Sequence, residues 1–204
     1  FAADLKAHGG DPAQVRHACM DMSAAYAKGV GLALPQAQIS YDRFHVVAMA
    51  NEAMDQVRRA EMQDDAAAVR SALGASDRKT LKQLMWGMRR NPSGWSKPQI
   101  NAMHWLQRSA LKSARAWRLK MALQAVYAAA RAHNNAEQAS IDLRAWLSWA
   151  RRCRLEPFKK LATTIKDRFD AVVRGMTDHR SNAFVEAMNG LLQQAKRAAR
   201  GFRT

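Results

Sequence analysis

The fold is decided by residues 15–45, which read VRHACMDMSAAYAKGVGLALPQAQISYDRFH. Val15–Met20 is a short run suited to a strand, and Gln38–Tyr41 is a second one. Between them, Ser23 is a suitable helix N-cap, and the helix that it starts must end before Pro35 because proline disfavours helical backbone in the preceding residue. The segment therefore predicts a strand, a helix and a second strand, with an acidic residue after each strand.

The remainder of the chain predicts helices. From Val46 onward apolar residues recur three or four positions apart, which is the spacing of one helix face. Breakers such as Asn91-Pro92-Ser93-Gly94 and Pro157 separate the helical segments, and an earlier helix ending at His8 is stopped by Gly9-Gly10. The fold class is therefore mostly α with two short strands, and the later helices are predicted over residues 81–88, 100–111, 117–130, 141–149, 158–169 and 182–196.

Basic residues are numerous and concentrated in the middle of the chain. Lys and Arg number 33 against 17 Asp and Glu, which gives a formal net charge of +16. From Arg78 to Ala136 there are twelve Lys or Arg and no acidic residue. A polyanion is the natural partner of such a segment, and nucleic acid is the first candidate. No apolar run approaches the roughly 18 residues of a membrane-spanning helix, so we expect no membrane partner.

The cysteines and the first residues indicate where the protein works. Cys19 and Cys153 are the two cysteines, far apart and without the spacing of a zinc site or a disulfide framework. The opening Phe1-Ala-Ala-Asp-Leu-Lys has neither the charged start nor the apolar run of a signal peptide. We therefore expect a cytoplasmic protein.

Three acidic positions are candidates for chemistry. Asp21 directly follows the first strand, and reactive groups gather at the carboxyl ends of strands in open α/β sheets, so it is a candidate metal ligand. The alternative is a cap for the helix that starts near Ser23. Asp42 and His45 follow the second strand, and their spacing at a helix start lets both side chains approach one point. The alternative for this pair is a helix cap beside a partly buried, hydrogen-bonded histidine.

The last helix carries the third candidate, Glu186. Asn182 and Asn189 lie on the neighbouring turns of the same side of the helix. A carboxylate flanked by amide oxygens suits a hard cation such as Mg²⁺. The alternative is a solvated surface glutamate.

Six tryptophans are interleaved with arginines between residues 86 and 149. Aromatic groups among cations suit contact with nucleic-acid bases, but the helical spacing of these tryptophans with Leu and Met neighbours predicts that most belong to the core. The basic side chains are therefore the predicted DNA contacts: Arg89, Arg90, Arg108, Lys112, Arg115, Arg118, Lys196, Arg197, Arg200 and Arg203.

Three stretches in this order resemble the bacterial insertion-sequence transposases of the L-three family. Residues 19–26 (CMDMSAAY) are similar to the strand that carries the family's second catalytic aspartate. Residues 34–46 (LPQAQISYDRFHV) are similar to its proline, strand and Asp-x-x-His signature, and residues 181–189 (SNAFVEAMN) to the segment with its last catalytic glutamate. The similarity extends over essentially the whole chain.

This resemblance implies a DDE catalytic domain with a ribonuclease H-like fold. Residues 1–62 would be part of the ribonuclease H-like core, 63–175 an all-α basic insertion, and 176–204 the catalytic helix and basic tail. Asp21 and Glu186 would be two of three catalytic metal ligands for Mg²⁺, or Mn²⁺, in two-metal phosphoryl transfer. The family's first aspartate lies on an earlier strand, so no residue of this sequence is assigned to it and we expect the chain to be catalytically incomplete.

The resemblance also implies partners and a setting. Double-stranded DNA, both insertion-sequence ends and target, would be the substrate, bound by a homodimer or higher oligomer. The location would be the bacterial cytoplasm, in association with the nucleoid. An alternative left open by the residues alone is a non-enzymatic basic helical DNA-binding protein, in which Asp21, Asp42 and Glu186 cap helices or face solvent.

Overall fold

A computed structural model describes the backbone of residues 2–72, 78–178 and 183–198, and their side chains except at positions 72, 78, 183–186 and 198. Within these residues the chain is mostly α. In chain order the first elements are α1 (Ala2–Ala7), β1 (His17–Met20), α2 (Ala24–Ala33), β2 (Gln38–Tyr41), α3 (Arg43–Asp64) and α4 (Ala66–Ala72). The later elements are α5 (Arg78–Arg89), α6 (Lys97–Arg108), α7 (Lys112–His133), α8 (Ala136–Arg152), α9 (Glu156–Lys166), α10 (Phe169–Thr177) and α11 (Ala183–Ala198).

The chain divides into two compact units. One comprises the described parts of Phe1–Val46 and Asp170–Thr204, and the other comprises those of Val47–Phe169. The first turn of α3 therefore belongs to the first unit, and most of that helix belongs to the second. None of the described helices is long and apolar enough to cross a membrane.

The first unit contains the predicted strand, helix and strand. β1 and β2 pair in parallel, with His17 opposite Gln38 and Met20 opposite Tyr41. The second strand has the predicted bounds, whereas β1 begins two residues later than predicted. Val15 closes a 3₁₀ turn over Pro12–Gln14 by donating its N–H to the Pro12 carbonyl at 3.2 Å, and this turn delays the start of the strand.

Helix α2 confirms the capping prediction. The Ser23 hydroxyl accepts a hydrogen bond from the Tyr26 N–H at 3.5 Å, which satisfies one of the first backbone donors of the helix. The helix ends at Ala33, before Pro35, as the proline requires. The Gln36 amide then donates to the Pro12 and Val15 carbonyls at 2.7 and 3.0 Å, so the loop after α2 is attached to the turn before β1.

Helix α10 packs directly on β2. The Arg174 Nε donates to the Ile39 carbonyl at 2.8 Å. A Cβ placed on Gly175 would collide with the Tyr41 backbone, so this close approach requires glycine.

The sequence predicted one helix over residues 158–169, and this boundary is wrong. The helix instead ends at Lys166, with Asp167 donating its N–H back to the Thr163 carbonyl, and α10 begins afresh at Phe169.

The described part of the second unit is made of helices. Neighbouring helices pack against each other in sequence, α5 with α6, α7 with α8, and α8 with α9. The Trp146 indole N–H donates to the Leu119 carbonyl at 2.9 Å, which satisfies the one polar atom of a buried ring. The largest fully buried apolar side chains of this unit are Met54, Met88, Met103, Leu106, Leu119, Leu123, Leu143, Phe158 and Ile165.

Candidate functional site

Asp21 and Asp42 lie at the same edge of the two-stranded sheet. Each residue directly follows a strand, and the parallel pairing of Met20 with Tyr41 puts the two strand ends side by side. The two aspartates differ in environment. Asp42 is fully buried, and its carboxylate accepts the Phe44 N–H at 2.8 Å at the start of α3. Asp42 therefore caps a helix, whereas the side chain of Asp21 is 39% exposed.

His45 lies against Asp21. Its Nδ1 is 2.9 Å from Oδ1 of Asp21, and the two side chains are 36% and 39% exposed. The ring nitrogen is buried, and the contact lacks the alignment of a hydrogen bond. An ion pair forms when the imidazole is protonated, because the carboxylate is then within 4 Å of a cation. The first turn of α3 therefore brings an imidazole to the carboxylate at the end of β1.

The predicted partners of Asp21 on the last helix are described only in part. Glu186 belongs to α11, but its side chain lies outside the described residues, as does Asn182 altogether. Asn189 is exposed on α11. Within the described side chains, no group of three or more His, Cys, Asp or Glu could hold a metal ion. A metal site shared by Asp21 and Glu186 stays a prediction.

Arg89, a predicted DNA contact, is bound to a buried carboxylate. Its guanidinium lies 2.8 Å from Oδ2 of Asp55, which is 3% exposed and also pairs with Arg58 and Arg59. Burial alone raises the pKa of Asp55, but hydrogen bonds from Arg59, Arg58 and Arg89 outweigh it and lower the pKa to about 2. Arg89 therefore joins α5 to α3, and any DNA phosphate would share it with Asp55.

The other predicted DNA contacts lie on exposed positions where they are described. Arg90 lies over the Trp86 ring, with 6.0 Å from its guanidinium carbon to the ring centroid. Arg108 lines a concavity with His104 and Trp105. Lys112, Arg115, Arg118, Lys196 and Arg197 are exposed, and Arg200 and Arg203 lie outside the described residues.

The prediction that most tryptophans are core is wrong for half of them. Trp117 and Trp146 are buried, at 8% and 3% exposure. Three others are exposed, at 39%, 53% and 42% for Trp86, Trp105 and Trp149. Helical spacing with Leu and Met neighbours does not separate these cases, because a broad indole at the border of the apolar face keeps the same period.

Besides Asp55, two further charged residues have structural roles that we did not predict from the sequence. Glu61 of α3 accepts the backbone N–H groups of Lys112 and Ser113 at 2.6 and 2.9 Å. It thereby caps α7, whose own N-cap residue, Leu111, has no side chain that can accept. Nothing in the local sequence signals this cap, because the two partners are 51 residues apart.

Lys120 is the second missed residue. It is completely buried, and its ammonium donates to the Met88 carbonyl at 2.7 Å. Desolvation by burial lowers its pKa to about 8. The helical period could have found it, since Lys120 lies one turn from Ala116 and Leu123 on the buried face of α7.

Comparison with known proteins gives one consistent result. The family model DDE_Tnp_ISL3, described as Transposase, matches residues 1–204. The chain is 28% identical over 207 residues to the transposase for insertion sequence element IS1557 of Mycobacterium tuberculosis, strain CDC 1551 / Oshkosh, and equally to that of strain ATCC 25618 / H37Rv. The match covers 94% of this chain and 46% of each relative, so the chain spans about half the length of these relatives. No solved structure gives a significant match. With its whole length matched, the chain belongs to the DDE_Tnp_ISL3 transposase family.

Proposed function

We propose that these residues form part of an insertion-sequence transposase that cuts and joins DNA with divalent metal ions, and that Asp21 is one of its metal ligands. The observation that carries the proposal is the position of Asp21. It follows the first of two parallel strands, at the sheet edge where reactive groups gather, in a chain of a transposase family. Asp42 is not proposed as a ligand, because its buried carboxylate caps α3.

We further propose that the core is ribonuclease H-like and is interrupted by a helical insertion. The strand, helix and parallel strand of residues 17–41 support this, together with the grouping of 1–46 with 170–204 in one compact unit. We propose the same functional regions as the sequence predicts: a ribonuclease H-like core over 1–62, a basic insertion over 63–175, and a catalytic helix and tail over 176–204.

Asp21 has the chemistry of a magnesium ligand. A carboxylate supplies the oxygen donors and the negative charge that Mg²⁺ or Mn²⁺ prefers, and a side chain that is 39% exposed is accessible to solvent. Glu186 would supply a second carboxylate from α11. When bound, two such cations activate the attacking hydroxyl and stabilise the leaving oxygen of a phosphodiester.

The remaining residues hold the substrate and orient the carboxylate. His45 lies against one oxygen of Asp21 and limits the rotation of its side chain. The exposed arginines of the helical bundle bind DNA phosphates, which supplies affinity and salt sensitivity but little sequence reading. Insertion-sequence ends and target DNA are the substrates in this proposal, held by a homodimer or higher oligomer.

These residues by themselves are proposed to bind DNA without cutting it. The three-carboxylate site of a DDE enzyme needs one more aspartate than Asp21 and Glu186 supply here. The alternative, a non-enzymatic basic DNA-binding protein, explains the charge of the chain but not its membership of a transposase family. It is therefore not favoured.

The test is strand cleavage and joining on an insertion-sequence-end duplex with Mg²⁺. A version of the chain extended upstream is compared with its Asp21→Asn and Glu186→Gln variants. Glu137→Gln, which changes an exposed carboxylate of α8, is the matched control. We expect both site variants to lose cleavage while they retain DNA binding, and the control to cut normally. Cleavage that survives Asp21→Asn would refute the assignment.

A further inference from the structure

The second unit contains a concave basic pocket that has no part in the proposed metal chemistry, although two of its arginines, Arg115 and Arg118, are predicted DNA contacts. Its volume is about 350 Å³, within the range of sites that hold small ligands. Residues of α7, of α8 and of the turn after α8 form its walls. The lining side chains with polar or aromatic groups are Arg115, Arg118, Trp149, Arg152, Cys153 and Arg154.

The charge of this pocket is not compensated by the protein. Four arginines line it and no carboxylate does. In the part of the chain that the structure describes, none of the four forms an ion pair. The Nε atoms of Arg118 and Arg152 donate to the Ala114 and Ser148 carbonyls of their own helices, at 3.3 and 3.1 Å. These bonds restrain the two side chains, and neither guanidinium is paired with a carboxylate of the described residues.

Arg154 is placed in the pocket by an unfavourable backbone conformation. Its φ is 58°, in the left-handed region that favours glycine. The residue lies between Cys153 and Leu155, which are 8% and 3% exposed and anchor the turn in the core. Arg154 directly follows the C-cap of α8, a position that is commonly left-handed and most often glycine, so this helix end carries a long cationic side chain instead.

Trp149 gives the pocket an aromatic wall. It is 42% exposed, whereas Trp146, one turn earlier on α8, is buried and bonded to the Leu119 carbonyl. Helix α8 thus uses one tryptophan for the core and presents the other to solvent beside the arginines. A guanidinium can donate two parallel hydrogen bonds to one phosphate, and an indole face stacks on nucleobases.

We propose that this pocket binds an unpaired nucleotide of a DNA strand, with the phosphodiester between the arginines and the base against Trp149. Inside a duplex both faces of each base are covered by stacking, so away from the duplex ends only an unpaired base can place a face on the indole. The choice of DNA over RNA rests on the proposed function. The recognition of an unpaired nucleotide rests on the pocket alone.

The experiment measures binding of the 204-residue chain to a fluorescent single-stranded oligo-dT and to a duplex of equal length, at several salt concentrations. Trp149→Leu removes the aromatic face and keeps an apolar side chain, while Trp149→Phe retains a ring. The double variant Arg118→Gln/Arg152→Gln is matched by Arg131→Gln/Arg151→Gln, which changes exposed arginines of the same two helices outside the pocket. Thermal unfolding of every variant checks that it is folded.

We expect Trp149→Leu to weaken binding to the single strand by about tenfold or more, with duplex binding unchanged and Trp149→Phe retaining most of the affinity. The slope of log affinity against log salt concentration reports the number of phosphate contacts. For single-strand binding this slope should correspond to about two fewer contacts in the pocket double variant than in its control. An oligo-dT containing 5-iodouracil should cross-link to Trp149 on irradiation, as read by mass spectrometry.

Three results would overturn the proposal. They are a single-strand affinity unchanged in Trp149→Leu, equal salt slopes for the two double variants, and displacement of the oligonucleotide by inorganic phosphate as readily as by thymidine 5′-monophosphate at equal ionic strength. The last would identify a site for free phosphate. Binding needs no cleavage, so a failure here leaves the role of Asp21 untouched, and loss of cleavage in Asp21→Asn leaves this pocket untouched.

Discussion

His45 Nδ1 lies 2.9 Å from Asp21 Oδ1, so the start of α3 and the end of β1 meet through an imidazole and a carboxylate. The two residues of the Asp-x-x-His pattern at positions 42–45 therefore have different contacts. Asp42 caps its own helix, while His45 reaches the carboxylate at the end of the neighbouring strand. In the proposed transposase this makes His45 a positioning residue for Asp21.

Replacing His45 should lower the affinity of the site for Mg²⁺ without abolishing cleavage. Residues that orient a metal-binding group typically change metal affinity or activity by about 10- to 100-fold. We therefore expect His45→Ala to need a higher Mg²⁺ concentration for half-maximal cleavage, whereas Asp21→Asn abolishes cleavage at all concentrations. Cleavage by the upstream-extended chain, titrated with Mg²⁺, distinguishes the two effects. An unchanged Mg²⁺ requirement in His45→Ala would exclude a positioning role.

The second prediction concerns the long-range cap of α7. Glu61 accepts the backbone N–H groups of Lys112 and Ser113, and Leu111 cannot replace it. Glu61→Gln removes the negative charge that stabilises a helix N-terminus and should lower the free energy of unfolding by about 1 to 2 kcal/mol. Urea denaturation measures the change. Glu52→Gln, which changes an exposed carboxylate in the middle of the same helix, is the control, and equal midpoints for the two variants would contradict the capping role.

The third prediction concerns Asp55 at low pH. Its pKa is lowered from 3.8 to about 2 by its three arginines, so its contribution to stability is fully present above pH 3.8 and is lost as the pH falls toward 2. The contribution amounts to about 2 kcal/mol. Asp55→Asn should be less stable than the unaltered chain at pH 6, and the difference should shrink between pH 4 and pH 2. Urea unfolding across this range tests it, and a difference that is constant with pH would refute it.

The sequence predicted the first unit well because its signals are local. Ser23 and Pro35 set the ends of α2, and the alternating polar and apolar residues of Gln38–Tyr41 predicted a strand with the observed bounds. The break after Lys166 escaped prediction because no Gly or Pro marks it. The close packing of Gly175 on the Tyr41 backbone was also not predicted, because it joins residues far apart in sequence.

The sequence predicted individual residues of the candidate site but not the contacts between them. Asp21 and His45 could be named from strand ends and spacing, but their contact depends on the parallel register of β1 and β2, which no local pattern encodes. The basic pocket around Trp149 was hidden for a similar reason. Arg118 and Arg152 belong to two helices, and their separate patterns are those of ordinary solvated faces.

The last prediction concerns Lys120, whose ammonium is buried against the Met88 carbonyl. Its pKa is lowered from 10.5 in the unfolded chain to about 8 in the folded one. Below pH 8 both states bind the proton and the full cost of burying the charge is present. Between pH 8 and pH 10.5 the unfolded state binds more protons, so stability from this group should rise with pH, by about 3 kcal/mol in total.

Lys120→Met isolates this effect, because methionine fills a similar volume without a charge. At pH 7 the variant avoids burying an ammonium but leaves the Met88 carbonyl without its donor, so the change of the difference with pH carries the test. Subtracting its free energy of unfolding from that of the unaltered chain cancels the contributions of all other titrating groups to the pH dependence. The difference should move in favour of Lys120 as the pH rises from 8 to 10. A difference that stays flat over this range would mean that Lys120 keeps an ordinary pKa, and that its ammonium reaches solvent in the folded protein.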